Sequence, residues 1–171
     1  RQRYGIHCVS AIMYNHESPR RPAEFVTRKI TGAVAEIKLG LRKNLTLGNL
    51  DTRRDWGYAP DYARALTLMA RHDKAQDFVL ATGVTRTVQE LAAFAFEAAG
   101  LDWKDHVVVA PKLCRPPEST ILCGDPSSAR ALLRWQPTKT FQEVITEMVA
   151  HDLALAERRI AQSDAPARAA A

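Results

Sequence analysis

A chain of 171 residues is long enough for one domain, or the larger part of one, with a core of its own. Its 46% hydrophobic and 25% charged residues are the balance of an ordinary globular protein, which argues against disorder, and no apolar stretch nears the roughly 20 residues of a membrane helix. The net charge of +5 is built mainly from arginine, 17 Arg against 7 Lys, an excess suited to planar, bidentate recognition of phosphate or carboxylate.

Arg1-Gln2-Arg3-Tyr4-Gly5 reads as the end of a helix running into a strand, which leads one to expect upstream sequence. Ile6 to Tyr14 is a largely apolar run, expected to be a buried strand, and it ends in the polar loop Asn15 to Pro22. Val26, Ile30, Ala33, Val34, Ile37 and Leu41 recur at amphipathic-helix spacing. A short strand at Leu45 to Leu47 precedes the turn Gly48-Asn49-Leu50-Asp51. Pro60 suits the first turn of a helix through Tyr62, Leu66 and Met69. Phe78 to Ala81 is a further strand, and Thr87 with Glu90 makes a capping-box pattern before a helix that Gly100 can end. Val107 to Val109 is another strand. Asp125-Pro126 opens a short helix through Leu133, and Thr140 with Glu143 repeats the capping box before a long last helix. Residues 1–160 are expected to form one α/β portion, and 161–171 a flexible tail. No Pro- or Gly-rich linker divides the chain.

Several chemistries are missing from the sequence. The eight glycines never take dinucleotide-fingerprint or P-loop spacing. No Gly-x-Ser-x-Gly elbow or His-Glu-x-x-His helix occurs. None of the four tyrosines has a lysine four residues later, the pair by which a short-chain dehydrogenase transfers a proton. Cys8, Cys114 and Cys123 lack metal-ligand spacing and are expected to be buried or neutral thiols of a reducing compartment. With no charged-then-apolar leader segment, a cytoplasmic location is the default expectation. His7, His72, His106 and His151 are scattered and read as structural.

Three stretches can bind a ligand, and each has a plainer reading. Asn15 to Arg21 places a carboxamide, an imidazole and two guanidiniums at the end of a strand, where α/β folds bind ligands; a solvated turn with Glu17 paired to an arginine is the alternative. Arg53-Arg54-Asp55-Trp56 follows a turn and precedes a helix. Its adjacent guanidiniums repel unless an anion or Asp55 screens them, and Trp56 either walls a pocket or fills a core. Arg115-Pro116-Pro117-Glu118 holds a cation and a carboxylate on a stiff segment, for which a rigid surface loop is the favoured reading of the stretch alone. Lys29 either adds positive charge or snorkels.

The motifs Asn15-His16-Glu17-Ser18-Pro19-Arg20-Arg21, Phe25-Val26-Thr27-Arg28-Lys29-Ile30, Leu47-Gly48-Asn49-Leu50-Asp51 and Arg54-Asp55-Trp56-Gly57 resemble the GDP-mannose 4,6-dehydratases in order and spacing. The resemblance continues through Asp61-Tyr62, Ala81-Thr82-Gly83, Arg115-Pro116 with Glu118, Gly124-Asp125-Pro126-Ser127 and Trp135-Gln136-Pro137, to about Leu155. It implies the carboxy-terminal part of a Rossmann-type extended short-chain dehydrogenase, comprising the last sheet strands and the smaller substrate-binding lobe. It further implies GDP-mannose as substrate, tightly held NADP as cofactor, and GDP-4-keto-6-deoxymannose as product. By resemblance His16 and Arg21 match NADP-contacting positions. Asn15, Lys29, Arg54, Arg115 and Glu118 match positions around GDP-mannose. The Arg20–Arg21 loop resembles one that reaches a neighbouring subunit's cofactor, so a homo-oligomer is expected of the full-length enzyme.

The family's catalytic Thr or Ser, Glu and Tyr-x-x-x-Lys, and its glycine fingerprint, would all lie before Arg1. No catalytic residue is therefore expected in this chain, which alone should be inactive. Pro22 stands where the family usually has Gly, and Ser119-Thr120 where it has Val-Asp. The alternatives are another nucleotide-sugar epimerase or dehydratase of the superfamily, or a basic nucleic-acid-binding module suggested by the pI near 9.3. The second is disfavoured because the arginines are spread through loops without clustering or aromatic interleaving, so no nucleic-acid partner is expected, nor a membrane or a metal.

Overall fold

The computed structural model describes residues 1–113 and 121–169, with side chains to Ser163. In chain order the elements are β1 (Ala11–Met13), β2 (Asn15–Glu17), α1 (Val26–Lys38), β3 (Leu45–Leu47), β4 (Arg53–Tyr58), α2 (Ala59–Arg71), β5 (Phe78–Leu80), β6 (Thr85–Thr87), α3 (Val88–Ala98), β7 (Val107–Val109), α4 (Ser127–Leu133) and α5 (Phe141–Ala169). They form two compact units interleaved along the chain. The first is Arg1–Ser18, Thr52–Thr87 and Pro117–Val144; the second is Pro19–Asp51, Val88–Pro116 and Ile145–Ala171. Because the chain passes between the units five times, no single linker could have marked the division.

In the first unit β1 pairs with β5 in parallel, and β4 lies between β2, parallel to it, and β6, antiparallel. Helix α2 presents Tyr62, Ala65 and Met69 to Phe78 and Leu80 of β5 and to Ala129, Leu133 and Trp135. The spacing of those three helix residues is a single apolar stripe. Leu66, expected on it, is exposed, since it lies one residue, about 100° around the helix, beyond Ala65. Trp135 is fully buried, and its indole N–H donates to the Asp61 carbonyl at 2.8 Å. The Asp61 carboxylate accepts from Thr138 N–H and Oγ1, both at 2.8 Å. The Trp135-Gln136-Pro137 segment is thus tied to the first turn of α2.

Three readings of this unit change. The apolar run from Ile6 yields only β1, with Ile12 55% and Met13 43% exposed. Among the described residues β1 has one partner, β5, so burial on both faces does not follow. The polar start of the next loop, Asn15 to Glu17, is instead a strand, made so by its pairing with β4. Cys8 and Cys123 are exposed free thiols rather than buried ones.

In the second unit α1 buries Ile30, Ala33, Val34 and Ile37 and packs on α3. β3 pairs with β7 in parallel, Leu45 opposite Val107 and Leu47 opposite Val109. The His106 ring stacks on Phe96 at 5.7 Å, with Nδ1 on the Lys43 carbonyl. Helix α5 opens on the expected capping box: Glu143 Oε2 accepts from the Thr140 N–H at 2.7 Å, while Glu143 N–H donates to Thr140 Oγ1 at 3.3 Å. It continues in the second unit with Ile145, Met148 and Val149 buried. The helix extends to Ala169.

Candidate functional site

The three-stranded sheet of the first unit gathers three of the expected site residues. Asn15 sits opposite Trp56 and His16 opposite Gly57 on the β2–β4 ladder; Arg54 faces Arg86 on the β4–β6 ladder. Asn15 Nδ2 donates to the Asp55 carbonyl at 3.1 Å, and its side-chain oxygen is an acceptor. His16 Nδ1 lies 3.0 Å from the Tyr14 carbonyl, a contact that requires the proton on Nδ1. In the neutral ring Nε2 is then an acceptor, fit for a ribose hydroxyl.

A buried aspartate holds the end of this sheet together. Asp55, with no solvent exposure, accepts from Thr82 N–H at 2.9 Å, Thr82 Oγ1 at 2.6 Å and Gly83 N–H at 2.9 Å. Asp55 thus organises the 82–84 turn, while Arg53 donates to Thr85 Oγ1 and the Thr85 carbonyl, both at 3.2 Å. Gly57 is needed for closeness: a Cβ there would lie 2.6 Å and 2.7 Å from the Tyr62 ring and hydroxyl. Gly124 has the same role, because a Cβ would collide with Ala81 and the Tyr14 ring. These contacts give physical reasons for glycine in two of the quoted motifs. Tyr62 is itself buried, its ring 5.4 Å from that of His16, and its hydroxyl has no hydrogen-bond partner among the described residues. Burial first, then the charges of Asp55, Glu17 and Asp61, push its phenol well above the ordinary range.

Beside the sheet, still within the first unit, is a pocket of about 390 Å³ walled by Trp56, Thr82, Arg86, Thr138, Lys139 and Phe141 among others. Trp56 is 5% exposed and stacks on Phe141 at 5.7 Å, so it is both core residue and pocket wall. Lys139 Nζ stands 4.4 Å over the Tyr58 ring.

The second unit carries Arg21 and Lys29. Arg28 shapes the chain before α1, donating to the carbonyls of Pro19 and Arg21, the latter at 2.9 Å. It is held by Asp152, which receives Arg28 Nη2 at 2.6 Å and Thr31 Oγ1 at 2.6 Å. The Arg21 guanidinium lies 3.6 Å from the centre of the Phe25 ring. Lys29 Nζ reaches the Thr46 carbonyl at 2.9 Å rather than merely trailing into solvent. Arg115 and Glu118, like Cys114, lie outside the described residues. Sequence reasoning missed Arg28 with Asp152, 124 positions apart, and Arg86, which belongs to none of the quoted motifs. Only the register of β6 against β4 singles out the latter. Among the described residues no cluster could hold a metal, and no helix is long and apolar enough to cross a membrane.

The fold is that of nucleotide-sugar epimerases and dehydratases of the extended short-chain dehydrogenase type. The chain superimposes on RMD of Pseudomonas aeruginosa, solved with NADPH, at a TM-score of 0.77 and 20% identity, covering 88% of this chain and 49% of that one. Thermus thermophilus UDP-glucose 4-epimerase, solved with NAD, gives 0.74 at 28% identity over 88% of this chain and 48% of the epimerase. The profile of the GDP-mannose 4,6-dehydratase family matches residues 1–148, and the chain belongs to that family. It is 45% identical to GDP-mannose 4,6 dehydratase 1 of Arabidopsis thaliana over 165 residues, 96% of this chain and 46% of the plant protein. The human GDP-mannose 4,6 dehydratase is 42% identical over 172 residues, 91% of this chain and 46% of the human one. The chain spans about half the length of the curated relatives it matches.

Proposed function

We propose that this chain is the sugar-nucleotide-binding part of an NADP-dependent GDP-mannose 4,6-dehydratase, a lyase converting GDP-mannose to GDP-4-keto-6-deoxymannose. The observation that carries the reading is the family match over residues 1–148, whose motif residues Asn15, His16 and Arg54 converge on one three-stranded sheet. In this reading Asn15, Lys29, Arg54, Arg115 and Glu118 bind GDP-mannose: the guanidiniums take phosphate oxygens and the carboxamide and carboxylate take hydroxyls. His16 and Arg21 contact NADP, His16 through the acceptor nitrogen that its bond to Tyr14 leaves exposed to a ligand. The solved relatives with NADPH and NAD support a nicotinamide cofactor. That cofactor, when bound, takes up hydride from the sugar at C4 and returns it at C6. The residues here bind and orient; none is assigned the proton transfers.

Two measurements test the reading. The pure 171-residue chain with NADP is expected to dehydrate no GDP-mannose, and turnover by it would overturn the division of roles. Calorimetry is expected to give tighter binding of GDP-mannose than of GDP; equal affinities would refute a formed sugar site. For a longer protein containing this chain, a dimer or tetramer is expected in sedimentation, with the Arg20–Arg21 loop reaching a neighbour's cofactor. A monomer that is fully active would remove that role.

A further inference from the structure

Pro19 and Pro22 carry no N–H, so the stretch between them has only the backbone donors of Arg20 and Arg21 with which to fix its own shape. Its carbonyls are gripped from outside instead. The planar guanidinium of Arg28 faces two ways. Nη1 donates to the carbonyls of Pro19 and Arg21, the latter at 2.9 Å, while Nε and Nη2 donate to Asp152 at 3.2 and 2.6 Å. Thr31, three residues on along the same helix face, adds its hydroxyl to that carboxylate at 2.6 Å. Both supports are anchored in the core of the second unit. Arg28 and Thr31 belong to α1, whose Ile30 and Val34 are fully buried, and Asp152 follows the buried Met148 and Val149 of α5.

The grip falls on the segment that carries Arg21. The Arg21 carbonyl is held by Arg28, and the proline that follows disfavours helical backbone at Arg21 itself. Phe25 adds a third constraint: its N–H donates to the Pro22 carbonyl at 3.2 Å, and its ring centre lies 3.6 Å from the Arg21 guanidinium. A lysine at position 28 could pair with Asp152 but could not also fork onto two carbonyls, so the guanidinium is the joint. We infer that Arg28, backed by Asp152 and Thr31, is a positioning residue for cofactor binding, presenting Arg21 to the cofactor's phosphate oxygens and acting only through it. The identity of the ligand as NADP rests on the proposed function. The coupling of Arg28 to the 19–25 segment rests on the hydrogen bonds alone.

The first test is amide exchange in the 171-residue chain. Phe25, bonded to Pro22, is expected to be protected, and to exchange about tenfold faster in Arg28→Lys while Val34 and Met148 keep their rates. An unprotected Phe25 in the unaltered chain, or an unchanged rate in the folded variant, overturns the positioning role. So does a uniform rise at all three amides, which a merely structural ion pair would give. The second test is NADP calorimetry on a longer protein containing this chain. Arg21→Ala should weaken NADP about tenfold or more. Arg28→Lys should weaken it several-fold, and the double variant no further than Arg21→Ala alone, because Arg28 acts through Arg21. Undiminished affinity in Arg28→Lys, or losses that add, would overturn that route. If Arg28→Lys does not fold by circular dichroism, Thr31→Val takes its place in both tests, with smaller effects in the same directions; no effect there overturns the role equally. If Arg21→Ala leaves NADP affinity unchanged, the NADP contact of the proposed function falls and the cofactor role of Arg28 with it, while faster exchange at Phe25 still upholds the grip of Arg28 on the segment.

Discussion

Each unit of the molecule pins a segment next to its candidate binding residues with one buried aspartate, and the two do so differently. Asp55 in the first unit holds the 82–84 turn through two backbone N–H groups and a hydroxyl, all neutral donors. Asp152 in the second unit, 4% exposed, holds Arg28, which in turn grips the carbonyls of Pro19 and Arg21. A carboxylate satisfied by neutral donors can be replaced with only lost hydrogen bonds. A carboxylate paired with a guanidinium cannot, because its removal strands a charge that is itself largely buried.

That contrast orders the expected effects. Asp152→Ala should be the largest, destabilising by about 3–5 kcal/mol in denaturant unfolding because Arg28 remains buried and unpaired. A loss below that of Asp55→Ala would erase the distinction. Asp55→Ala should cost about 2–3 kcal/mol, with Asp55→Asn intermediate, since the amide keeps an acceptor oxygen. It should also loosen the Thr82 wall of the pocket, read as faster amide exchange at Thr82 and Gly83. Gly57→Ala should cost about 1–3 kcal/mol by overpacking against Tyr62. Tyr62→Phe should change stability at neutral pH by less than about 1 kcal/mol, since the hydroxyl it removes has no partner among the described residues. Its signature is in the pH profile. Tyr62's phenol is raised in the fold, so its contribution is complete below about pH 10 and is lost as the pH climbs above that value. The alkaline fall in melting temperature should therefore be shallower in Tyr62→Phe, and an unchanged fall would assign it elsewhere. The smallest effect concerns the α5 cap. Hydrogen bonds from Thr140 hold the Glu143 carboxyl below its ordinary range, a contribution present above the ordinary carboxylate value and lost as pH falls through the folded one. Thr140→Ala should flatten that acid limb in thermal melts.

Elements carried by local signals were legible in the sequence. Helix α1 follows the spacing from Val26 to Ile37, α5 begins at the Thr140–Glu143 capping box, and β3, β5 and β7 coincide with short apolar runs. β2, β4 and β6 were not, because Asn15–Glu17, Arg53–Tyr58 and Thr85–Thr87 carry little apolar alternation and become strands only through each other. The same limit applied to the site. Asn15, His16 and Arg54 were singled out by resemblance to a family, whereas the chemistry of Asn15 to Arg21 by itself favoured a plain polar turn.

The sequence by itself determined the α/β class, most helix positions and the family, since periodicity, capping and motif spacing are written within short stretches. Only the tertiary structure decided the interleaved units, the partners of Asp55 and Asp152, and the facing of Arg54 and Arg86. Those depend on register and on contacts between residues from 27 to 124 positions apart, which no local pattern encodes.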